Sequence, residues 1–307
     1  MFWAAALPVL FWSAAPDTAP ALRDAGITHI AVPAAQAESW KAASGITVET
    51  ADLRKMVKLE APGVEYRVDQ ASASRAPWLD SNGWQFLRQP QGRFYYDVKG
   101  AGAAIAAAES FSYGIAAFVS TDSAGLKPFA RMIAFLRSVS AEAMPVVADI
   151  GFQDDGTDVS AEVMNLMLRH NLLFRTVSSP DPKLKLNVRI GSKEYPAADA
   201  QDPGAMAQII RANLTDEKRS LRIYGSPVVI GRLTGSAGQV RVQLLNYSGA
   251  GRSVSGLRVR VLGNFPKHQL AAEGSPAAQM LDYAADAEAT EFTLPELKTF
   301  AVIDLSR

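Results

Sequence analysis

The sequence predicts an α/β body of the (β/α)8-barrel type, complete or degenerate, followed by a small antiparallel β-sandwich. Two observations lead to this fold class. Short β-rich apolar runs alternate with helical stretches through the first two thirds of the 307 residues, as in parallel strands covered by crossover helices. After Tyr224 the apolar period changes to two residues, as in strands with one solvent-facing side. We therefore predict a barrel-like domain over residues 1–222 and a β-sandwich domain over 223–307.

The body contains eight candidate strands, each an apolar run bounded by turn or helix residues. They lie at residues 7–13, 29–32, 47–49, 65–69, 93–98, 116–120, 145–152 and 172–178. Helices are predicted near residues 18–25, 34–43, 101–113, 126–139, 160–169 and 203–214. The connections at 52–59 and 72–90 show only weak helical patterns, and for this reason the degenerate form of the barrel stays open.

The C-terminal region contains five candidate strands, separated by turn segments. They lie at residues 228–233, 239–246, 255–262, 289–294 and 300–305. Arg241, Gln243, Arg258 and Arg260 fall between apolar neighbours, so one face of the sheet is expected in solvent and the other on a core.

Composition excludes several classes of function. The chain has no cysteine, and its three histidines, His29, His170 and His268, form no metal-binding or triad pattern. The 31 basic residues balance 31 acidic ones, so we expect no nucleic-acid partner. No apolar run approaches the roughly 20 residues that span a bilayer, and the apolar N-terminus favours a first strand over a signal peptide. We expect a soluble protein, cytoplasmic or exported, without a cofactor.

This layout of a barrel-like body and a small β domain resembles that of many glycoside hydrolases. The strand at 239–246 with Tyr247 after it, and the closing Ala301 to Leu305, resemble the β domain that follows the barrel in such enzymes. The stretch from Ala107 through Glu109 and Tyr113 to Ala116 is similar to a helix-then-strand step within those barrels. The resemblance implies a carbohydrate ligand and, in an active enzyme, hydrolysis of a glycosidic bond.

Aspartates follow several of the predicted strands. In a barrel the reactive groups project from the carboxyl ends of the strands, and glycosidic cleavage needs two carboxyl groups. Asp69, Asp97 and Asp154 are therefore the candidate catalytic residues. Aspartate also caps helices and opens turns, which is the interpretation we favour for Asp122 and Asp158.

A tryptophan-rich loop provides the candidate binding surface. Indole rings stack on the C–H faces of pyranose rings while polar neighbours bond the hydroxyls. The candidate substrate-binding residues are Trp78, Asp80, Asn82, Trp84, Arg88 and, on a later loop, Asp155. The alternative is that both indoles cover the barrel rim as ordinary packing.

Two other functions compete with catalysis on a sugar. One is a carbohydrate-binding or scaffolding relative that has lost the chemistry, since the strand ends that carry the candidate aspartates offer no catalytic glutamate. The other is nucleotide binding at Gly100 and Gly102, which precede a helix and have Asp122 about twenty residues beyond, in imitation of a dinucleotide fingerprint. A tight turn between strand and helix explains the same glycines.

Overall fold

The computed structural model describes residues 2–3, 6–41, 45–65, 77–139, 142, 144–249 and 251–307. The strands of the α/β body are β1 (Phe2–Trp3), β2 (Val9–Phe11), β3 (His29–Val32), β4 (Thr47–Thr50), β5 (Val57–Leu59), β6 (Gly63–Glu65), β7 (Trp78–Asp80), β8 (Phe94–Asp97), β9 (Phe118–Ser120), β10 (Met144–Pro145), β11 (Ile150–Gln153), β12 (Phe174–Thr176) and β13 (Leu186–Arg189). The helices are α1 (Ala19–Asp24), α2 (Ala37–Trp40), α3 (Gly83–Arg88), α4 (Gly102–Ser112), α5 (Ser123–Ser138), α6 (Asp158–Arg169) and α7 (Pro203–Leu214).

Six parallel strands form the main sheet of the body, in the order β4-β3-β2-β9-β8-β5. The chain runs outward from β2 through β3 to β4, and then returns toward β2 from the other side through β5, β8 and β9. The two edge strands, β4 and β5, are therefore consecutive in the chain. This is the order of a barrel opened between two neighbouring strands. Within the described ranges no backbone pairing joins β4 to β5.

The fourth parallel strand differs from the prediction. It is β5, which lies in the stretch 52–59 that we predicted as a crossover. A strand of three residues is too short to be recognised from the spacing of its apolar residues. Of the segment predicted as a strand at 65–69, the structure describes Glu65, which is the last residue of β6. β6 pairs antiparallel with β7. Residues 66–76, which include the candidate Asp69, lie outside the described residues.

The predicted seventh and eighth strands do not join the main sheet in the described structure. β11 and β12 pair in parallel with each other, and β13 pairs with the free side of β11, giving a separate sheet in the order β12-β11-β13. The prediction missed β13. Its residues, Leu186–Arg189, alternate apolar and polar over only four positions in a lysine-rich stretch.

Local sequence signals account for the main helices. The Asp122 carboxylate accepts a hydrogen bond from the Gly125 N–H and so caps α5, as predicted. For α6 the cap is Thr157, whose hydroxyl accepts from the Ser160 N–H, and Asp158 is the first helical residue instead of the predicted cap. α7 spans the predicted range, with Pro203 in its first turn and Asp202 as its cap.

The C-terminal residues form two four-stranded antiparallel sheets, which we call the β module. Its strands are β14 (Leu221–Tyr224), β15 (Val229–Gly235), β16 (Gln239–Asn246), β17 (Val254–Leu262), β18 (Lys267–Ala272), β19 (Leu281–Ala285), β20 (Ala289–Leu297) and β21 (Phe300–Ser306). The sheet orders are β14-β17-β20-β19 and β15-β16-β21-β18. The five predicted strands are present, and β14, β18 and β19 are additional. β18 and β19 were missed because few of their residues are buried.

The β module packs directly on the body. Phe300 lies edge-on to Phe111 of α4 and to Phe135 of α5, with ring centroids 6.2 Å apart in both pairs. Buried residues of the module such as Ile230 and Tyr247 belong to the same hydrophobic cluster as the main sheet of the body. The two parts therefore share a core.

Candidate functional site

The candidate site is an antiparallel hairpin that follows the carboxyl end of β5. We call the paired segments Gly63–Glu65 and Trp78–Asp80 the acidic hairpin. Glu65 lies opposite Trp78, and Gly63 lies opposite Asp80. Because side chains alternate along a strand, Glu65, Trp78 and Asp80 share one face. Leu79 faces the other way and is fully buried, which anchors the hairpin on the core.

The environment of Asp80 favours its protonated form. Partial burial raises the pKa of Asp80, and the nearby carboxylate of Glu65 raises it further. Two neighbours oppose this shift: the Trp78 indole N–H, which donates to Asp80 Oδ1 at 2.9 Å, and the positive charge of Arg169. The net effect is a raised pKa, to which Glu60 also contributes. A carboxyl with a raised pKa thus lies near the side chains of Glu65 and Glu60.

Arg169, the last residue of α6, holds the aromatic part of the hairpin. Its guanidinium lies 4.1 Å from the centroid of the Trp78 ring, a cation–π contact. The same group donates to the carbonyl of Pro77 at 3.5 Å. Trp78 is therefore fixed against α6 and remains half-buried.

The chain immediately after Asp80 is tied to the buried carboxylate of Glu109. The Asn82 backbone N–H donates to Glu109 Oε1 at 2.7 Å, and the Asn82 amide donates to Oε2 at 3.0 Å. The same amide donates to the carbonyl of Glu60 at 3.0 Å. Asn82 therefore joins α4 to the end of β5 and fixes the base of the acidic hairpin.

Glu109 also receives hydrogen bonds from two tyrosines. Tyr96 of β8 donates to Oε2 at 2.7 Å, and Tyr247 of the β module donates to Oε1 at 2.8 Å. Tyr247 is also 3.0 Å from the Ser81 hydroxyl. Glu109 is 0% exposed, and this burial raises its pKa, although the hydrogen bonds from Tyr96, Asn82 and Tyr247 counteract the shift. Its role in the structure is to hold the base of the hairpin.

Asp97 and Asp154, the two predicted catalytic aspartates that the structure describes, pair with different cations. Asp69 lies outside the described residues, on the connection between the two strands of the acidic hairpin. Asp97, at the end of β8, has a side chain 58% exposed and lies 3.6 Å from Lys58 Nζ. Asp154 makes a two-pronged ion pair with Arg88, with both N–O distances at 2.7 Å.

The predicted binding residues divide into two groups. Trp78 and Asp80 lie together on the acidic hairpin, while Asn82 is buried against Glu109. The other three lie around α3 and the α6 cap: Trp84, whose ring is 5.4 Å from the Arg88 guanidinium, Arg88 itself, and Asp155, which accepts from the N–H and the hydroxyl of Thr157.

The glycines of the dinucleotide-like stretch form a tight turn. Gly100 has φ +51°, and its N–H donates to Asp122 Oδ1 at 2.9 Å. The Asp122 carboxylate, which a dinucleotide site would use for the ribose, thus accepts hydrogen bonds from this turn and from the N-terminus of α5. Among the residues that the structure describes, no three histidine or carboxylate side chains are grouped as metal ligands, and no helix is both long and apolar enough to cross a bilayer.

Sequence reasoning missed the buried carboxylate, although a signal for it exists. Glu109 is the only charged residue in α4, and most of the other α4 residues are alanine or other apolar types. A lone acid on such a buried helix needs hydrogen-bonding partners. Tyr96 of β8 is one of them.

Comparison with known proteins gives a likeness of fold. No family model and no curated protein sequence matches the chain. Among solved structures, an alpha-L-fucosidase isoenzyme 2 from Paenibacillus thiaminolyticus is similar over 88% of this chain and 69% of that one, with 10% identity and a TM-score of 0.56. A glycoside hydrolase family 30 subfamily 8 xylanase from Clostridium acetobutylicum aligns over 100% and 97%, with 10% identity and a TM-score of 0.18.

A noncanonic maltogenic alpha-amylase from Thermotoga neapolitana aligns over 97% of this chain and 99% of that one, with 9% identity and a TM-score of 0.23. Of these three structures, the fucosidase has a TM-score above 0.5, and at 10% identity the similarity concerns the fold. The chain thus has a mixed α/β fold, with a six-stranded parallel sheet and antiparallel sheets, and this fold is similar to that of the fucosidase.

Proposed function

We propose that the chain is a glycoside-hydrolase-like protein that acts on a carbohydrate at the acidic hairpin. The observation that carries the proposal is the raised pKa of Asp80 beside the carboxylate of Glu65. Hydrolysis of a glycosidic bond needs one protonated carboxyl for the leaving oxygen and one ionised carboxylate as nucleophile or base. In this proposal Asp80 is the acid, and Glu65 or Asp69 is the ionised partner.

The position of the hairpin in the fold supports the proposal. Reactive groups of barrel enzymes lie at the carboxyl ends of the parallel strands, and the hairpin follows that end of β5. The order of the six parallel strands supports a degenerate barrel over about residues 1–222, in which β4 and β5 are neighbours. Trp78 and the predicted site residues Asp97, Trp84 and Asp155 would then serve the sugar at the same mouth.

A second candidate is a carbohydrate-binding relative without catalysis. The observation that favours it is that Asp97 and Asp154 each lie beside a cation, so that neither stands as a free carboxylate. In this case Trp78 and Asp80 would bind the sugar, and no bond would be cleaved.

One experiment separates the two candidates. The wild-type chain is incubated with a panel of 4-nitrophenyl glycosides, and the same sugars are titrated by calorimetry. We expect release of 4-nitrophenol from at least one glycoside. Binding without release supports the second candidate, and neither binding nor release contradicts both.

A further inference from the structure

The β module has a groove on the face of the sheet β15-β16-β21-β18 that also carries Phe300, next to the end of α5. Arg241 and Gln243, which we predicted to face solvent, lie on this face and are each 1% exposed, because this side of the sheet packs on the body. Two cavities, of about 400 Å³ and 300 Å³, lie along it and share Gln269 and Asp304. We call this continuous surface the module groove. Strand pairing aligns its side chains in rows, with Arg241, Asp304 and Gln269 directly opposite one another on three adjacent strands.

The central row presents a carboxylate of fixed orientation. Arg241 is 1% exposed, and its Nε and Nη2 atoms donate to the two oxygens of Asp304 at 2.6 and 2.7 Å. The Asp304 side chain is 25% exposed, and each of its oxygens has a further lone pair. The buried Arg241 guanidinium therefore orients the Asp304 carboxylate, whose remaining lone pairs can accept hydrogen bonds from a ligand in the groove.

The neighbouring positions supply donors and acceptors that suit hydroxyl groups. Gln269, on the opposite side of Asp304 from Arg241, is exposed and offers an amide N–H and an amide oxygen. The next row on the same face contains Gln239, Ser306 and Lys267. At the other end the groove becomes apolar, with Ala271, Val302 and Val139.

The charges of the groove favour a neutral ligand. Arg241 and Asp304 neutralise each other, so the central row of the groove has no net charge, and Lys267 is the cation of the next row. Lys267 donates to the carbonyl of Arg307 at 3.1 Å. A ligand with hydroxyl groups along one side and C–H groups along the other matches both the polar rows and the apolar end.

We propose that the module groove is a second binding site, for a neutral polyhydroxyl ligand such as a sugar. Hydroxyl groups donate to Asp304 and bond the amide of Gln269, while C–H groups lie on Ala271 and Val302. The site is independent of the acidic hairpin, because it lies on other elements and would bind a sugar whether or not the hairpin does.

Saturation-transfer difference NMR on the full chain tests the proposal. The probes are D-glucose, D-xylose, L-fucose, maltohexaose and xylohexaose, with wild type, Gln269→Ala, Trp78→Ala and Gln279→Ala. Gln279 is an exposed glutamine of the module outside the groove and serves as the matched control. We expect at least one sugar to bind, with an affinity about tenfold lower in Gln269→Ala, the loss of one hydrogen bond. Gln279→Ala should bind the sugar with the affinity of wild type. Trp78→Ala should still bind sugar in the module groove, where binding depends on Gln269.

Three results would overturn the proposal. One is the absence of saturation transfer to every sugar of the panel. Another is equal sugar affinity in wild type and Gln269→Ala. This includes the case in which Trp78→Ala alone abolishes sugar binding, because the sugar would then bind at the acidic hairpin. The third is complete competition by sodium sulfate at constant ionic strength, which would make the groove an anion site.

Discussion

The hydroxyl of Tyr247 lies 2.8 Å from Glu109 Oε1, and this hydrogen bond joins the β module to helix α4 of the body. Both residues are buried, and Tyr247 also contacts the hydroxyl of Ser81 next to the acidic hairpin. The base of the candidate site is thus held from both parts of the chain. The β module supports the site as well as covering the body.

Removal of the Tyr247 hydroxyl should therefore destabilise the whole chain. Tyr247→Phe leaves Glu109 Oε1 with one donor fewer and Ser81 without its tyrosine partner. We expect the free energy of unfolding to fall by about 1–2 kcal/mol, measured by urea denaturation. Tyr224→Phe is the control, because Tyr224 is 38% exposed, and it should change stability by less than about 0.5 kcal/mol. Equal midpoints for both variants would refute the role of the hydroxyl.

Glu109 should make stability depend on pH in a defined direction. Its pKa is raised above the ordinary 4.5 in the folded state, so proton binding favours folding. The stability that this shift contributes is complete below that ordinary pKa and is lost as pH rises through the folded-state pKa. Glu109→Gln cannot titrate. We expect the stability of wild type relative to Glu109→Gln to fall with rising pH, in urea titrations over a pH series. A relative stability that increases with pH would contradict the raised pKa.

The pKa of Asp80 should respond to its two charged neighbours in opposite directions. Glu65→Gln removes a negative charge and should lower the pKa of Asp80, while Arg169→Met removes a positive charge and should raise it. The measurement is an NMR titration of the ¹³C-labelled aspartate carboxyl groups, with Asp80→Asn to assign the signal. Shifts of the same sign in both variants would exclude the proposed arrangement of charges.

The buried ion pair Arg241–Asp304 should contribute far more to stability than an exposed ion pair that also joins two antiparallel strands. Asp304→Asn removes the carboxylate charge that the Nε and Nη2 atoms of the buried Arg241 contact, and we expect a loss of about 3 kcal/mol in urea denaturation. Arg258→Gln is the comparison, because Arg258 is 62% exposed in its pair with Glu291. That variant should lose less than about 1 kcal/mol. Similar losses of unfolding free energy in the two variants would show that burial does not determine how much an ion pair stabilises this protein.

The sequence predicted those features that depend on neighbouring residues. α7 and β16 have the predicted bounds, and Asp122 caps α5 as expected. Each follows from a local period or from capping chemistry.

Features that depend on distant residues could not be predicted in this way. β5 is too short to have a recognisable period, and only its pairing with β8 makes it a strand of the main sheet. Glu109 and Tyr247 are 138 residues apart, and a single sequence contains no information that brings them together. The raised pKa of Asp80 likewise requires the hairpin register that places it near Glu65.

The central claim, that Asp80 is a general acid toward a glycoside, is tested most directly by leaving-group dependence. Rates are compared for wild type, Asp80→Asn and the exposed control Asp286→Asn, on phenyl and 2,4-dinitrophenyl glycosides of one sugar. A leaving group of high pKa needs the proton and one of low pKa does not. We predict that Asp80→Asn lowers kcat/KM for the phenyl glycoside by about 10²-fold or more and for the dinitrophenyl glycoside much less, with Asp286→Asn unchanged. Equal losses on both substrates, no loss in Asp80→Asn, or no hydrolysis of either substrate by wild type would contradict it.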